Sequence, residues 1–563
     1  MSRSLRLPIA ALLAACALIV ALDAPGVGQS APSPSPVASA APLPLETPPA
    51  TGTPIPGGTP LPVASPSAAP LPTPSPTPPP ITVSPTSVDL VYHQTATIQA
   101  SGIFGQVHAA SSSPNVQVQG IDQGAQRVTI YGTSLGLSTV TITDDRGITA
   151  SVWVRVAYQA GFPADNTEAK ITGNPADAAY VRRAAATAAE AAAVNLRPGA
   201  KVIVHPEHVR GARDLPLDDL ETVQVPVTIN GDPYIQVSGT TQVRVENFAQ
   251  PRIKPVSLLV SDYPETITEN GVLFSEDLTT NRPARFLYYH YNKPGSQDRR
   301  ILLKVTNVSS QPAQVQYISG AAGPTPYEME VGHLSTMRFL VHEARNEGTV
   351  VTVPPNATIN LANQEFPAGT VISNLLQLRE LSGDRLHLSL LVQDFGQPVD
   401  AAPASSDLLQ STVKHARGVY PIPEFFFDYT YFVGSDDVEV PIGQIPLPNL
   451  RRGEALGGDY GVLQSITLTL VNRTGAPARL ALYQNPRGGA ATATYIIDGT
   501  VVLSHPAKAF TTFKVRQYAV PAHGFVRTQV VTMPEGGSSY PLRLVVGPDD
   551  GSVAPGAPGS PIH

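Results

Sequence analysis

Short runs of alternating apolar and polar residues follow one another from residue 81 to residue 548. In residues 152–156, for example, three valines alternate with Trp153 and Arg155. Successive side chains of a strand point to opposite faces of a sheet, so this alternation indicates strands with one buried face. A chain of 563 residues exceeds what one hydrophobic core accommodates. We therefore predict a mainly β protein with several domains.

One segment departs from this alternation and predicts a helix. Asn174 and Pro175 precede an alanine-rich run over residues 176–194, and a proline-glycine pair follows soon after it. A polar cap, an early proline and a closing glycine are the usual signals of helix boundaries. Three strand-like runs come next, so residues 159–250 are predicted to form a small α+β domain. From about residue 251 onward the sequence predicts strands throughout.

The two C-terminal segments contain a weak internal repeat. One alternating run ends at Asn307 and another ends at Asn472. A Pro-Ala pair follows each asparagine at the same spacing, and a second alternating run comes after it. Asparagine tolerates turn conformations and proline fixes the exit from a turn. We therefore predict two tandem β-sandwich domains, residues 251–400 and residues 401–548.

The N-terminus has the three parts of a bacterial signal peptide. Two arginines precede an apolar run over residues 7–22, and a stretch of small residues follows. A signal peptidase recognises this order, so residues 1–30 are predicted to be a signal peptide. An uncleaved anchor is one alternative, and lipidation at Cys16 is another because residues 13–16 resemble a bacterial lipobox. In each case the folded part is expected outside the cytoplasm, in the periplasm, at the cell surface or secreted.

Residues 31–80 are predicted to be a disordered stalk. They consist almost entirely of Pro, Ser, Ala, Thr and Gly, with one charge at Glu46. Such a segment buries too little apolar surface to fold, and its prolines hold it extended. Residues 549–563 are predicted to be a disordered tail.

The segment over residues 81–158 has strands at short intervals and a recognisable ending. Gly136-Leu-Ser-Thr-Val-Thr-Ile-Thr-Asp-Asp-Arg-Gly147 is followed by the valine strand of residues 152–156. This ending resembles the closing hairpin of bacterial immunoglobulin-like (BIG-type) domains. The resemblance covers residues 81–158 alone. It implies an immunoglobulin-like β-sandwich of the kind that serves as a spacer or adhesive domain in surface proteins.

The motifs associated with catalysis or metal binding all have a simpler structural interpretation. Residues 132–136 match G-x-S-x-G, but strands flank them on both sides, whereas a nucleophile elbow requires a helix after the serine. His205 and His208 are separated by a proline that breaks the helix needed to bring them together. The acidic pair Asp549-Asp550 lacks the alternating oxygen ligands of a calcium loop. We therefore predict no catalytic, cofactor-binding or metal-binding residues and no cofactor.

Composition excludes further classes of protein. Cys16 is the single cysteine, so after cleavage of the signal peptide the chain has no disulfide, thiolate zinc site or cysteine nucleophile. The net charge is −7 and no basic cluster is dense enough to follow a phosphate backbone. Nucleic acid is therefore not an expected partner.

Two aromatic strands and one tryptophan are the candidates for contact with a ligand or partner. Aromatic side chains provide a large contact area at a low entropic cost. Burial in a core or domain interface is the simpler interpretation of the strands, and Trp153 is expected to pack beneath a loop or against the next domain. The candidate residues are Tyr288, Tyr289, Tyr291, Phe425, Phe427, Tyr429, Tyr431 and Trp153.

These features favour a binding protein over an enzyme. We predict an exported, non-catalytic cell-envelope or surface protein that acts as a protein-binding or scaffolding module. One alternative is a carbohydrate-binding or adhesive protein that uses the aromatic strands. Another is a secreted hydrolase whose acid pair is assembled from distant loops. The expected partner is an envelope protein or a glycan, with membrane contact only through an N-terminus that is uncleaved or lipidated at Cys16.

Overall fold

The computed structural model describes residues 79–554. The predicted signal peptide, residues 31–78 of the predicted stalk and residues 555–563 of the predicted tail lie outside the described residues. Within residues 79–554 the fold consists of strands and two α-helices. Neither of these helices is both long and apolar enough to cross a lipid bilayer. The protein is mainly β with several sheets, as the alternation predicted.

The first folded segment is a sandwich of two four-stranded sheets. Its strands are β1 Thr82–Ser84, β2 Ser87–Val91, β3 Thr95–Ser101, β4 His108–Ser111, β5 Val116–Asp122, β6 Arg127–Gly132, β7 Gly136–Thr143 and β8 Thr149–Ala157. The sheet orders are β1-β3-β6-β5 and β2-β8-β7-β4. An immunoglobulin sandwich has one sheet in the order A-B-E-D and one in the order G-F-C. The same order is found here when β3 to β8 are lettered B to G and strand A is divided into β1, in the first sheet, and β2, in the second. Val152, Val154 and Val156 are buried between the sheets.

The next two predicted domains are built on one sheet. Their strands are β9 Asn166–Thr172, β10 Lys201–Val204, β11 Leu220–Asn230, β12 Val237–Asn247, β13 Ser257–Ser261, β14 Thr266–Ile267, β15 Gly271–Leu278, β16 Ala284–Asn292, β17 Arg299–Asn307, β18 Ala313–Ser319, β19 Ala322–Thr325, β20 Gly348–Val353, β21 Thr358–Phe366, β22 Val371–Ser382, β23 Leu386–Asp394 and β24 Arg417–Tyr420. Twelve of them form a single sheet in the order β10-β11-β12-β9-β20-β18-β22-β16-β13-β24, with β14 beside β16 and β19 beside β22.

Strand β9 joins the two halves of this large sheet. It pairs in parallel with β12 and in antiparallel fashion with β20. The predicted boundary between residues 250 and 251 therefore lies within a continuous sheet. A separate four-stranded sheet, β15-β23-β17-β21, covers one face of its second half. The core between them includes Phe286, Leu303 and Leu390.

Helix α1, Ala178–Ala191, lies within the run that predicted it. Asp177 caps its first turn, where the side chain accepts a hydrogen bond from the backbone N–H of Ala179. Val181, Ala185 and Ala189 are buried against β9 and β12. The small alanine side chains let the helix lie close to the sheet.

Helix α2, Glu328–Arg345, shows that the prediction of strands throughout residues 251–548 was wrong. Glu328 and Glu330 occupy its first turn, and Asn346 ends it in the left-handed conformation at φ 55°. It buries Phe339 and Leu340 but has an apolar stripe interrupted by buried Ser335 and Thr336. That interrupted stripe concealed the helical period in the sequence.

The last sandwich follows β24. Its strands are β25 Glu424–Phe432, β26 Val438–Ile442, β27 Leu463–Val471, β28 Ala478–Pro486, β29 Thr494–Ile497, β30 Thr500–Leu503, β31 Phe513–Val520, β32 Phe525–Thr532 and β33 Leu542–Pro548. They form the sheets β25-β27-β32-β29-β30 and β26-β33-β28-β31. The strands around the two asparagine turns pair in the same way. Before the turn, β17 pairs with β21 and β27 pairs with β32. After the turn, β18 pairs with β20 and β22, and β28 pairs with β31 and β33.

The asparagine turns of the two repeats have the same hydrogen bonds. Asn307 Nδ2 donates to Gln311 O at 2.7 Å and to Val353 O at 3.1 Å. Asn472 Nδ2 donates to Ala476 O at 2.8 Å and to Val520 O at 3.3 Å. In both turns the asparagine Oδ1 accepts bonds from the backbone N–H and the hydroxyl of the residue two positions later. Both segments therefore have the same turn, followed by equivalent strands.

Helix α2 also contacts the last sandwich. A Cβ on Gly332 would lie 1.7 Å from the carbonyl oxygen of Gly536, so the two backbones touch. His333 Nδ1 lies 2.9 Å from Oε2 of Glu535, which is fully buried and also accepts bonds from two threonine hydroxyls. Met533 packs into an apolar cluster with residues of the helix. This contact fixes the last sandwich against the large sheet.

Candidate functional site

The predicted tyrosines of the first aromatic strand lie inside the molecule. Strand β16 is an interior strand, and Tyr288 and Tyr289 are buried. The Tyr288 hydroxyl donates to Gln364 and accepts a bond from Asn374 Nδ2 at 3.2 Å. Burial raises the pKa of the Tyr288 phenol, and the Asn374 bond offsets only part of this rise. Tyr291 is half-buried near Tyr289, so these residues belong to the interior and not to a contact surface.

The second aromatic strand, β25, has its predicted contact face turned inward. Phe427 and Tyr429 are partly buried against the core of the last sandwich, and Tyr431 is buried within it. Phe425 packs against a neighbouring cluster that includes Leu258. The four residues proposed as a ligand platform therefore serve as packing residues in this structure.

The opposite face of β25 is exposed and was not among the sequence candidates. Phe426 is 61% exposed and Phe432 is 38% exposed, with exposed Asp428 and Thr430 between them. The Lys254 ammonium lies 4.0 Å from the ring centroid of Phe426. Strand alternation could have identified this face, because it placed these four residues opposite the core residues. We call residues Phe426, Asp428, Thr430 and Phe432 the outer face of β25.

The lateral edge of β25 is also free. The strand pairs in parallel with β27, and it has no other paired strand within residues 79–554. A bond such as Val433 N–H to Val471 O, at 2.9 Å, places the backbone groups of the odd-numbered residues against β27. Backbone groups alternate in direction along a strand. The N–H and C=O groups of Phe426, Asp428 and Thr430 therefore point away from the sheet.

The edge on the same side of the first repeat, where β23 lies between β15 and β17, is protected. Strand β15 has a β-bulge between Val272 and Phe274 and carries Glu276 and Asp277. Bulges and charges are two ways in which proteins prevent pairing at a sheet edge. Strand β25 keeps a regular register over all nine residues and has one charged residue, Asp428, between its first and last phenylalanines. It is a long, regular and aromatic edge strand.

A shallow groove of about 430 Å³ lies at the far end of the outer face. Val471 lies between Phe432 and Phe525 in the register of the three strands. The Arg473 guanidinium stacks over the Phe432 ring at 4.5 Å from its centroid. The groove is lined by Thr469, Val471, Asn472, Arg473, His523, Gly524 and Phe525. An apolar side chain next to a hydrogen-bonding or acidic group fits this lining.

Trp153 is 67% exposed on the outer face of the first sandwich. Thr139 and Ser87 flank it on the neighbouring strands, and Arg155 on the same face pairs with Asp89 at 2.8 Å. The expectation that Trp153 packs beneath a loop or against the next domain was wrong. The sequence correctly placed Trp153 on the face opposite the valines. It contains no signal that shows whether another part of the chain covers a side chain on that face.

The remaining motifs form turns. Ser134 of the G-x-S-x-G match lies between β6 and β7, and its hydroxyl donates to Asn115 Oδ1 at 2.7 Å. His205 and His208 are exposed at a short 3₁₀ helix, Pro206–His208. Lys514 forms ion pairs with Asp549 and Asp550, and its hydrogen bonds lower the pKa of both carboxyls.

Comparison with known proteins gives no family. No family model matches the chain, and no curated protein matches it. Fibronectin(III)-like modules of CbhA from Clostridium thermocellum are 13% identical, with a TM-score of 0.16, over 30% of this chain and 94% of theirs.

Two glycan-related structures are similar at the same level. SGBP-B of the Bacteroides ovatus mixed-linkage glucan utilization locus, solved with a mixed-linkage heptasaccharide, is 9% identical with a TM-score of 0.14, over 54% of this chain and 71% of that one. The M60 catalytic domain of Clostridium perfringens ZmpB with two CBM51 domains is 10% identical with a TM-score of 0.14, over 83% of this chain and 55% of that one. Likeness at this level carries no argument about function.

Proposed function

We propose that the protein binds an extended segment of a partner polypeptide outside the cytoplasm, by strand addition at the free edge of β25. One observation carries this proposal: a regular nine-residue aromatic strand has a lateral edge with no paired strand among the described residues. Edges of this kind are templates for an added strand. The role is that of a binding module, with no catalytic step at this edge.

The backbone supplies the affinity and the outer face supplies the specificity. Phe426, Asp428 and Thr430 offer three N–H and three C=O groups, and each bond in a ladder contributes about 0.5–1.5 kcal/mol. Ordering of the partner segment consumes much of this energy, so the affinity is modest. Phe426 and Phe432 are six positions apart, or about 20 Å along a strand. The partner segment then carries apolar residues at matching positions.

A polypeptide fits this edge better than a glycan does. A flat strip of exposed tyrosines would favour sugar stacking, but the tyrosines of β16 and β25 face inward. The exposed rings of β25 are phenylalanines, which have no hydroxyl for hydrogen bonding to sugars. The signal-peptide-like N-terminus and the proline-rich segment after it support a location in the envelope or at the surface.

Photo-crosslinking tests the proposal directly. The full-length protein is expressed in its own cells with benzoylphenylalanine at Phe426 or Phe432. We expect a discrete crosslinked polypeptide from both positions and none from Phe510, which is 70% exposed in another part of the same sandwich. Thr430→Pro removes one outward N–H at a position where an edge strand tolerates proline, so it should abolish the crosslink.

Thr430→Ala is the matched control, because it keeps the backbone donor. It should retain the crosslink. A crosslink that survives Thr430→Pro would show that the edge is not the binding element. Crosslinks formed only between two copies of the chain, or only to glycan, would also contradict the proposal.

A further inference from the structure

A serine, a histidine and an aspartate form a continuous hydrogen-bonded chain on the sheet β15-β23-β17-β21. Ser275 Oγ lies 3.0 Å from His387 Nε2, and His387 Nδ1 lies 2.7 Å from Asp277 Oδ1. Ser275 and Asp277 are two positions apart on β15, so they share one face. His387 is directly opposite Asp277 on β23. The register of two neighbouring strands therefore fixes all three side chains.

The histidine has the two contacts that a general base needs. One ring nitrogen faces the serine hydroxyl and the other faces a carboxylate that fixes the ring orientation and tautomer. Both distances are within the range of nucleophile–base and base–orienter pairs. His387 has 37% of its side chain exposed and Asp277 has 85% exposed. Solvent therefore weakens the carboxylate contribution relative to a buried triad.

A pocket of about 340 Å³ lies beside this chain. Ser275 and His387 line it together with Lys304, Asn360 and Asp400. The segment after β23 forms one wall, where Lys304 Nζ donates to Val399 O at 3.0 Å. Ser275 and His387 therefore share one pocket with a cation and polar side chains, at a size suited to a small ligand.

We propose that Ser275, His387 and Asp277 form a nucleophilic site that hydrolyses small acyl esters of polar alcohols. Ser275 Oγ forms a bond to the acyl carbon while its proton passes to His387 Nε2. The ester C–O bond breaks, and the alcohol leaves with that proton. Water then attacks the acyl-serine, with His387 as base, and releases the acid and the free serine. Lys304 lines the same pocket two strands away from Ser275, so its positive charge acts on the oxyanion through the field in the pocket and not as a direct hydrogen-bond donor.

Esters fit this site better than amides do. Backbone N–H groups form the strongest oxyanion holes, but those of the interior strand β23 are used in ladders with β15 and β17. An alcohol leaves more readily than an amine, so an ester requires less stabilisation of the oxyanion. This site departs from the sequence expectation of no catalytic residues. It also differs from the predicted acid pair, since its groups are a serine, a histidine and one carboxylate.

An activity-based probe tests the site. The full-length protein is incubated with a fluorophosphonate, and the labelled residue is identified by mass spectrometry. We expect label on Ser275 and none on Ser389, which lies directly opposite it on β23. Hydrolysis of p-nitrophenyl acetate should fall by about 10²-fold or more in Ser275→Ala and His387→Gln, the usual range for a base and its nucleophile.

Matched variants separate this chemistry from general surface reactivity. Asp277→Asn should lower both labelling and hydrolysis by about tenfold, because an exposed carboxylate contributes less than a buried one. Ser134→Ala, in a turn of the first sandwich, should leave both unchanged. Absence of label on Ser275, or equal hydrolysis by Ser275→Ala and the natural chain, would overturn the proposal. Thr430→Pro should not alter the labelling, which keeps this test independent of partner binding at β25.

Discussion

The strongest test of the internal repeat is removal of its turn asparagine. Asn472 is buried, and its side chain makes four hydrogen bonds, at 2.8 Å and 3.3 Å to two carbonyls and at 2.9 Å and 2.7 Å from Thr474. At about 0.5–1 kcal/mol each, the lower half of the usual range, loss of the four bonds should make Asn472→Ala cost about 2–4 kcal/mol. Asn307→Ala should cost the same, since Asn307 makes the same four bonds.

Native-state hydrogen exchange measures this cost within each sandwich. The slow amides of β27 and β28 should exchange about 30- to 900-fold faster in Asn472→Ala, because 1.36 kcal/mol corresponds to a factor of ten. Those of β17 and β18 should respond in the same way to Asn307→Ala. Arg473→Ala is the control, because this side chain lies in the same turn but stacks on Phe432 at the surface. Exchange in Asn472→Ala that is no faster than in Arg473→Ala would show that the buried amide of the turn does not stabilise the sandwich.

Two further predictions concern other parts of the molecule. Burial opposes protonation of His333, but the hydrogen bond and charge of Glu535 outweigh it and raise the pKa of His333. The ion pair therefore stabilises the fold fully below the pKa of His333 in the unfolded chain, and this stabilisation is lost as pH rises through the higher pKa of the folded protein. The melting temperature should fall across this pH window, and His333→Gln should abolish the fall. An unchanged fall in the variant would contradict the prediction. Trp153 is the single tryptophan, so acrylamide should quench the fluorescence of the native protein nearly as well as that of the unfolded protein, while Trp153→Ala should change stability by less than about 0.5 kcal/mol. Strong protection from quenching would show that the side chain is covered.

Much of the fold could be predicted because the spacing of apolar residues within a short segment shows whether that segment is a strand or a helix. The alternation of Val152, Val154 and Val156 with Trp153 gives their faces correctly. The alanine run gives α1, although its N-cap is Asp177 and not the expected Asn174. Helix α2 was missed because its buried serine and threonine interrupt the apolar stripe. The joining of the large sheet through β9 could not be predicted either, because strand partners distant in sequence leave no local pattern.

The candidate sites were less predictable, and for related reasons. Aromatic content favoured the more aromatic face of β25, and Phe426 and Phe432 were overlooked although the polar Asp428 and Thr430 share their face. Ser275 and Asp277 are two residues apart, but His387 follows more than one hundred residues later, so no motif links them. Only the register of β15 and β23 brings these three side chains together.

The seven residues of β9 make the two halves of the large sheet mutually dependent. They are held on one side by β12 and on the other by β20. A protein that ends at residue 250 would lack β20, so one edge of β9 would have no paired strand. Residues 166–420 should consequently fold and unfold as one cooperative unit. A pulling force applied to either half is transmitted through the hydrogen bonds between strands and not through a flexible hinge.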